Sequence, residues 1–222
     1  MSELPVLVIG DKTVSSWSLR PWLALRQADI AFEERLLWLH RPAFRSEVAR
    51  YSPSGRVPVL LHDGAVVWES LAILEYINET WLQGRGWPAE RAARAHARAI
   101  AGEMHSGFAA LRRELTLNLR RHDAPLDPGH DAAHDLLRIV AIWEDARARF
   151  GAGGPFLFGT FGAADIVYAP VVSRFISYQI PVPGFALAYM QAVWEHDWMK
   201  QWIAASENEE WVIEQYETAA NA

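Results

Sequence analysis

The sequence predicts an α/β domain followed by an all-helical domain, on the basis of three observations. Short apolar runs alternate with helically spaced apolar residues over residues 1–84. An Asp63-Gly64 pair separates two β-branched runs, which is a strong hairpin signal because glycine tolerates a positive φ in the turn. After residue 89, apolar residues recur at steps of three and four, as in amphipathic helices. We therefore expect two domains, 1–84 and 89–222.

In the first domain, strands and helices are expected to alternate until the hairpin. The predicted order is strand Val6–Ile9, helix Leu19–Ala28, strand Glu33–Leu39, helix Ala43–Tyr51, strands Val57–Leu61 and Ala65–Trp68, and helix Ser70–Trp81. Because the hairpin makes the last two strands antiparallel, this order predicts a small mixed sheet.

The second domain is expected to contain helices only. One long helix is predicted over Ala89–Arg121, because its apolar residues fall on a single face: Ala97, Ile100, Met104, Phe108, Leu111, Leu115 and Leu119. Pro125 and Pro128 should end it. Further helices are predicted over Ala132–Phe150, Ala163–Tyr178 and Phe185–Ala204, with a short one around Trp211.

Composition excludes several classes of protein. The 222 residues include no cysteine, which excludes disulfides, cysteine metal sites and a thiol nucleophile. The formal charge of −6 lacks the basic footprint of a nucleic-acid binder. No run of 18 or so apolar residues offers a membrane span, so a cytoplasmic protein is expected. His130 and His134 are four apart, but no third ligand is evident and we expect no metal.

A loop rich in hydroxyl groups follows the first predicted strand. It contains Ser15, Ser16 and Trp17 and leads into the first helix. Hydroxyls at this point lie near the unpaired N–H groups of a helix N-terminus, which favours an anion such as a thiolate. The alternative is that a serine here is only an N-cap, which spacing alone favours.

Two further motifs follow in the first domain. Val57-Pro58 opens the third strand, and a cis bond there would turn the Val57 backbone outward to pair with a peptide-like ligand; an ordinary trans edge proline is the alternative. Glu69-Ser70 marks the start of the next helix, where a carboxylate could bind and Glu69 could hold an ammonium group. Ser70 as a simple N-cap is the alternative there.

Together, these motifs resemble the glutathione transferase superfamily. The resemblance rests on the hydroxyl loop, on Pro53–Leu60, on Trp68–Tyr76 and on Phe158–Ile166, and it spans essentially the whole chain. It implies a thioredoxin-like α/β N-terminal domain, an all-α C-terminal domain and a homodimer. In Phe158–Ile166, which resembles a capping box, Gly162 stands where the family has Ser or Thr, and we expect Asp165 to bond back to the cap backbone.

The resemblance also assigns roles to residues. Ser15 matches the activating serine of serine-type members and Ser16 is the adjacent hydroxyl, although the loop register could exchange them. Trp17 stands where the zeta class has cysteine. The expected glutathione-binding residues are Trp17, His40, Arg56, Val57, Pro58, Glu69 and Ser70, with Val57-Pro58 as the cis pair.

The implied chemistry is a thiolate attack by glutathione on a small hydrophobic electrophile. Ser15 would donate a hydrogen bond to the sulfur and lower the thiol pKa. The electrophile should lie between the domains, near the face of the long helix that carries Met104, His105, Phe108 and Arg112. His105 and Arg112 could polarise a leaving group or bind an acidic substrate, or they could simply be helix surface residues.

Two other functions stay open at this point. One is a non-catalytic glutathione-binding or interaction module on the same fold. The other is a maleylacetoacetate-isomerase-like activity within the enzymes. No nucleic-acid or membrane partner is expected.

Overall fold

The computed structural model describes residues 4–121 and 127–217. The N-terminal elements are β1 (Val6–Ile9), α1 (Ser16–Gln27), β2 (Glu33–Leu36), α2 (Phe44–Val48), β3 (Val59–His62), β4 (Ala65–Trp68) and α3 (Ser70–Thr80). The helical elements are α4 (Arg91–Ser106), α5 (Ala109–Glu114), α6 (His130–Phe150), α7 (Ala163–Ser177), α8 (Gly184–Trp194), α9 (Asp197–Glu207) and α10 (Glu214–Glu217).

The four strands form the expected mixed sheet, in the order β2-β1-β3-β4. β1 pairs with β2 in parallel and with β3 in antiparallel, and β3 and β4 form the predicted hairpin. Leu7 and Ile9 of β1 are fully buried in the main core. The helices α1 and α3 pack on one another and α1 also packs on α7, so the N-terminus of α1 lies where the sheet layer meets the helical region.

The long helix predicted over Ala89–Arg121 is wrong. α4 ends at Ser106, Gly107 is extended, and Phe108 has a left-handed backbone with φ of 59°. A Cβ on Gly107 would lie 2.8 Å from the Glu103 carbonyl oxygen, so this break needs glycine. The apolar stripe is buried nevertheless, because α4, α5 and the segment after α5 all contribute to one core. Pro125 lies outside the described residues.

The single helix predicted over Phe185–Ala204 is also wrong. α8 ends at Trp194 and α9 begins at Asp197. The His196 side chain accepts a hydrogen bond from the Trp198 N–H at 3.3 Å, so it caps the second helix.

The N-terminus of α7 has the predicted capping arrangement. The Gly162 N–H donates to one Asp165 carboxylate oxygen at 2.9 Å, and the Leu157 N–H donates to the other at 3.0 Å. The prediction that Asp165 bonds back to the cap backbone is therefore confirmed. Asp165 is buried, and that burial raises its pKa to about 6 although these hydrogen bonds oppose the rise.

Candidate active site

The hydroxyl loop ends in an N-cap. The Ser15 hydroxyl donates to the Ser18 hydroxyl oxygen at 2.7 Å and accepts weakly from the Ser18 N–H at 3.4 Å. The Ser18 oxygen also accepts from the Gly10 N–H at 3.1 Å, which ties the helix start to the end of β1. Ser15 is thus the N-cap of α1. The Ser16 hydroxyl has no hydrogen bond to any described residue, and both serines line a cleft of about 580 Å³.

The start of α3 is built differently. Glu69 occupies the cap position with φ of 69°, and Ser70 is already the first helical residue. The interpretation of Ser70 as the N-cap is therefore wrong. Its hydroxyl is buried and has no hydrogen-bond partner in the described part of the chain. A buried hydroxyl without a partner at a helix N-terminus is available to an incoming carboxylate.

The peptide bond between Val57 and Pro58 is cis, as the family resemblance implies. Within residues 4–121 and 127–217, the Val57 N–H and C=O make no hydrogen bond, since β3 begins only at Val59. An extended peptide could therefore pair with the Val57 backbone.

Most of the predicted binding residues lie in a second cavity of about 120 Å³. Its lining residues are Trp17, Ser54, Arg56, Val57, Pro58, Glu69 and Ser70. The larger cleft is lined by Val14, Ser15, Ser16, Trp17, Leu39, His40, Phe44, Arg56, Val57, Arg112, Thr116, Leu117, Arg174 and Tyr216. Trp17, Arg56 and Val57 line both cavities, so the two form one continuous site.

Two arginine side chains lie over the Trp17 ring. The Arg20 guanidinium lies 4.5 Å from the ring centroid and the Arg112 guanidinium lies 4.7 Å from it. The His105 ring meets the same indole edge-on at 5.3 Å. Such cation–π contacts fix the tryptophan at the junction of the two cavities.

The chain is similar to known glutathione transferases. The family model described as "Glutathione S-transferase, N-terminal domain" matches residues 14–80. A protein of Caenorhabditis elegans named "Probable maleylacetoacetate isomerase" is 35% identical over 203 residues, which cover 85% of this chain and 94% of that protein. The chain belongs to the glutathione S-transferase family.

Two further similarities fit this family membership. The maleylacetoacetate isomerase of Rattus norvegicus is 34% identical over 108 residues, 48% of this chain and 50% of that protein. A crystal structure of a glutathione transferase homologue from Burkholderia gl BGR1, with bound glutathione, has a TM-score of 0.71 at 24% identity and covers 94% of this chain and 100% of that one. The fold is thus a thioredoxin-like N-terminal domain with a helical C-terminal region, and the activity is that of a glutathione transferase.

The residues predicted for the transferase's electrophile pocket divide into two groups. Arg112 lines the cleft, where its Nε donates to the Gly107 carbonyl and its Nη2 to that of Met104. Met104 and Phe108, by contrast, are buried in the core. His105 packs on Trp17, and its Nε2 lies 3.7 Å from the nearer carboxylate oxygen of Glu69.

Arg174, in α7, also lines the larger cleft, and the sequence motifs did not point to it. Arg174 is buried, and its Nε and Nη1 donate to the carbonyls of Leu115 and Pro170 at 2.7 and 3.0 Å. Burial, with a contribution from Arg112, lowers the pKa of Arg174 to about 9, so it remains charged at pH 7. An arginine within a mostly apolar helix is a sequence signal for such a buried cation.

Two further features are absent from the described residues. No cluster of three or more His, Asp or Glu side chains in that part of the chain could hold a metal ion. No helix in the same part is long and apolar enough to cross a membrane.

Proposed function

We propose that glutathione lies along the continuous site with its γ-glutamyl carboxylate at Ser70 and its thiol at Ser15. The unpartnered Ser70 hydroxyl supplies a donor at the N-terminus of α3, and Glu69 beside it suits the ammonium group. The unpaired Val57 backbone suits the peptide part of the tripeptide. The observation that carries this proposal is that Trp17, Arg56 and Val57 line both the Ser70 cavity and the Ser15 cleft.

Ser15 acts as the hydrogen-bond donor to the sulfur. The Ser18 hydroxyl can turn its proton toward the Ser15 oxygen, 2.7 Å away, because its own oxygen already accepts from Gly10. Ser15 then has its proton free for the glutathione sulfur. A hydrogen bond to the charged form, together with the positive end of α1, lowers the thiol pKa and raises the fraction of nucleophilic thiolate.

A titration of bound glutathione tests this role. Thiolate absorbance, measured against pH in the complex, should give a thiol pKa well below about 8.5, the ordinary value for a cysteine thiol. A bound thiol that titrates like free glutathione would exclude activation by this loop.

We further propose that the electrophile is acidic and that the reaction is an isomerisation of the kind named for the Caenorhabditis elegans relative. Arg56, Arg112 and Arg174 line the cleft, and Arg174 Nη2 has no partner among the described residues. An anionic substrate would thus meet fixed cations beside the thiol. The thiolate would add to a conjugated cis double bond, the resulting single bond would rotate, and elimination would restore glutathione and leave the trans product.

The electrophile proposal is tested by a ratio of activities. Wild type should isomerise maleylacetoacetate faster than it conjugates a neutral aryl halide, and Arg112→Gln should lower the first activity about tenfold more than the second, since a charged hydrogen bond is lost. Arg113→Gln changes the neighbouring, mostly exposed arginine and is the matched control. Equal losses in both activities would contradict an anion-binding role. The homodimer, the cytoplasmic location and the domain limits 1–84 and 89–222 stay predictions.

A further inference from the structure

The loop between β1 and α1 is held by the helical region. The Lys12 and Thr13 N–H groups donate to the two carboxylate oxygens of Glu209 at 2.6 and 2.9 Å. The Lys12 carbonyl accepts from Trp202 Nε1 at 3.0 Å, and the Thr13 carbonyl accepts from the Leu119 N–H at 3.1 Å. All four backbone polar groups of these two residues therefore bond to the C-terminal half of the fold.

Glu209 accepts two of these four backbone bonds. It lies just after α9, its side chain is mostly buried, and its carboxylate also accepts from the Thr13 hydroxyl at 2.7 Å. Arg120 holds its backbone by donating to the carbonyls of Ser206 and Glu209. A buried carboxylate is costly unless it is hydrogen-bonded, so the carboxylate and the loop stabilise each other in one geometry.

A tight turn connects this anchor to the proposed catalytic hydroxyl. The Ser15 N–H and the Val14 N–H both donate to the Asp11 carbonyl, at 2.8 and 3.3 Å. Thr13 lies inside that turn, so a displacement of Thr13 moves Ser15 as well. Ser15 itself then caps α1, which fixes the direction of its side chain.

We propose that Glu209 is a positioning residue of the transferase reaction. Through Lys12 and Thr13 it sets the β1–α1 loop so that the Ser15 hydroxyl meets the glutathione sulfur. This inference rests on the proposed role of Ser15. Glu209 does not itself touch glutathione in this arrangement, and it acts only through the loop.

The test compares three variants of the full-length protein. Glu209→Gln keeps the side-chain length but places an amide NH₂ against the loop donors. Thr13→Val removes the hydroxyl donor and leaves every charge in place. Glu210→Gln makes the same charge change at the exposed neighbouring position and is the matched control.

Three measurements are needed on each variant: steady-state kinetics against pH, amide hydrogen exchange and thermal unfolding. In Glu209→Gln, kcat/KM for conjugation should fall about tenfold, within the range that a misplacement of about 1 Å can cost, and its pH midpoint should move upward. The KM for glutathione should change less than twofold, because the Ser70 cavity is untouched. Amide hydrogen exchange over residues 12–16 should become faster. Thr13→Val should show smaller changes of the same sign, and Glu210→Gln should match wild type.

The outcomes separate this proposal from the role of Ser15. If Ser15→Ala loses activity while Glu209→Gln keeps the wild-type pH midpoint, the positioning role is overturned and the catalytic role stands. If Ser15→Ala stays active, the catalytic role fails, and a positioning role built on it fails with it. The proposal is also overturned if amide hydrogen exchange over residues 12–16 in Glu209→Gln is as slow as in wild type. It is likewise overturned if Glu209→Gln loses thermal stability but its pH midpoint does not shift.

Discussion

The helices α1 and α3 each have a serine at their N-terminus, yet the two serines are in different states. Ser15 is the cap of α1, and its hydroxyl bonds to Ser18. Ser70 lies one position further into its helix, because Glu69 takes the cap position with a positive φ, and its buried hydroxyl has no partner among the described residues. A shift of one residue thus decides whether a helix-start hydroxyl has a partner within its own helix or is left without one in the described fold.

The largest expected effect is that of Ser15→Ala, which tests the first half of this comparison. It should lower kcat/KM for conjugation about a hundredfold or more, as the loss of a single preorganised donor does. It should also lower the free energy of unfolding by about 1 kcal/mol, because the N-cap of α1 is lost. Steady-state kinetics and denaturant titration measure the two effects.

Ser16→Ala is the matched control, because Ser16 lines the same cleft but makes no hydrogen bond to a described residue. It should leave stability unchanged and affect activity less than Ser15→Ala does. A larger loss of activity in Ser16→Ala would assign the sulfur contact to Ser16.

The N-terminus of α7 gives a third case for the comparison. Its hydrogen-bond acceptor is the Asp165 carboxylate, which accepts from the Leu157 and Gly162 N–H groups. Burial raises the pKa of Asp165 to about 6, above its ordinary value of 3.8, so the folded state holds this proton more tightly than the unfolded chain. The free energy of unfolding should therefore fall by about 2–3 kcal/mol as pH rises from about 4 to about 6.

Urea titrations at intervals across this pH range measure the slope. In Asp165→Asn the slope should shrink, and the remainder should come mainly from Asp11, whose pKa burial also raises. An undiminished slope in Asp165→Asn would show that Asp165 is ionised throughout the range.

Ser70→Ala tests the second half of the comparison. The dissociation constant for glutathione should rise about tenfold, since one hydrogen bond to a charged carboxylate is lost. The free energy of unfolding should not fall, because the hydroxyl has no partner in the described fold to lose. Isothermal titration calorimetry and denaturant titration give both numbers. A loss of stability like that of Ser15→Ala would mean that the two helix starts do not differ.

The smallest expected effect is that of Gly162→Ser, which restores a cap hydroxyl to α7. The backbone of Gly162 is extended, so serine fits, and a cap hydroxyl is worth a few tenths of a kcal/mol over glycine. Its Cβ would lie 3.1 Å from the Gly86 carbonyl oxygen, which offsets part of the gain. The free energy of unfolding, measured by thermal unfolding, should therefore change by less than about 0.5 kcal/mol. A larger loss would mean that the Gly86 carbonyl cannot move away from the new Cβ.

The sequence predicted the sheet and most helices well but missed two breaks, for a physical reason. Periodicity reports which residues face the core, and the stripe from Ala97 to Leu119 is buried as expected. It does not report whether one helix or several carry that stripe. Gly107 and the left-handed Phe108 break the helix between Met104 and Leu111, which are both buried.

Some residues of the candidate site could be found from local sequence motifs and others could not. Local motifs were sufficient to find Ser15, Val57-Pro58 and Glu69-Ser70, because each lies at a strand end or helix start where backbone groups are unpaired. Arg174 and Glu209 come from distant parts of the chain, and no local spacing links them to Ser15. Which of two neighbouring serines has a free hydroxyl also depends on cap geometry, which sequence leaves open.

By itself, the sequence determined the order of the N-terminal strands and helices, the mixed sheet, the buried stripes and the family, since these follow from local pattern and from motifs. Only the tertiary structure decided that the helical region holds the β1–α1 loop, through Glu209, Trp202 and Leu119. It also decided that Arg20 and Arg112 both lie over the Trp17 ring. The physical reason is that these contacts join residues far apart in the chain, and packing of the whole fold is what brings such residues within hydrogen-bond distance.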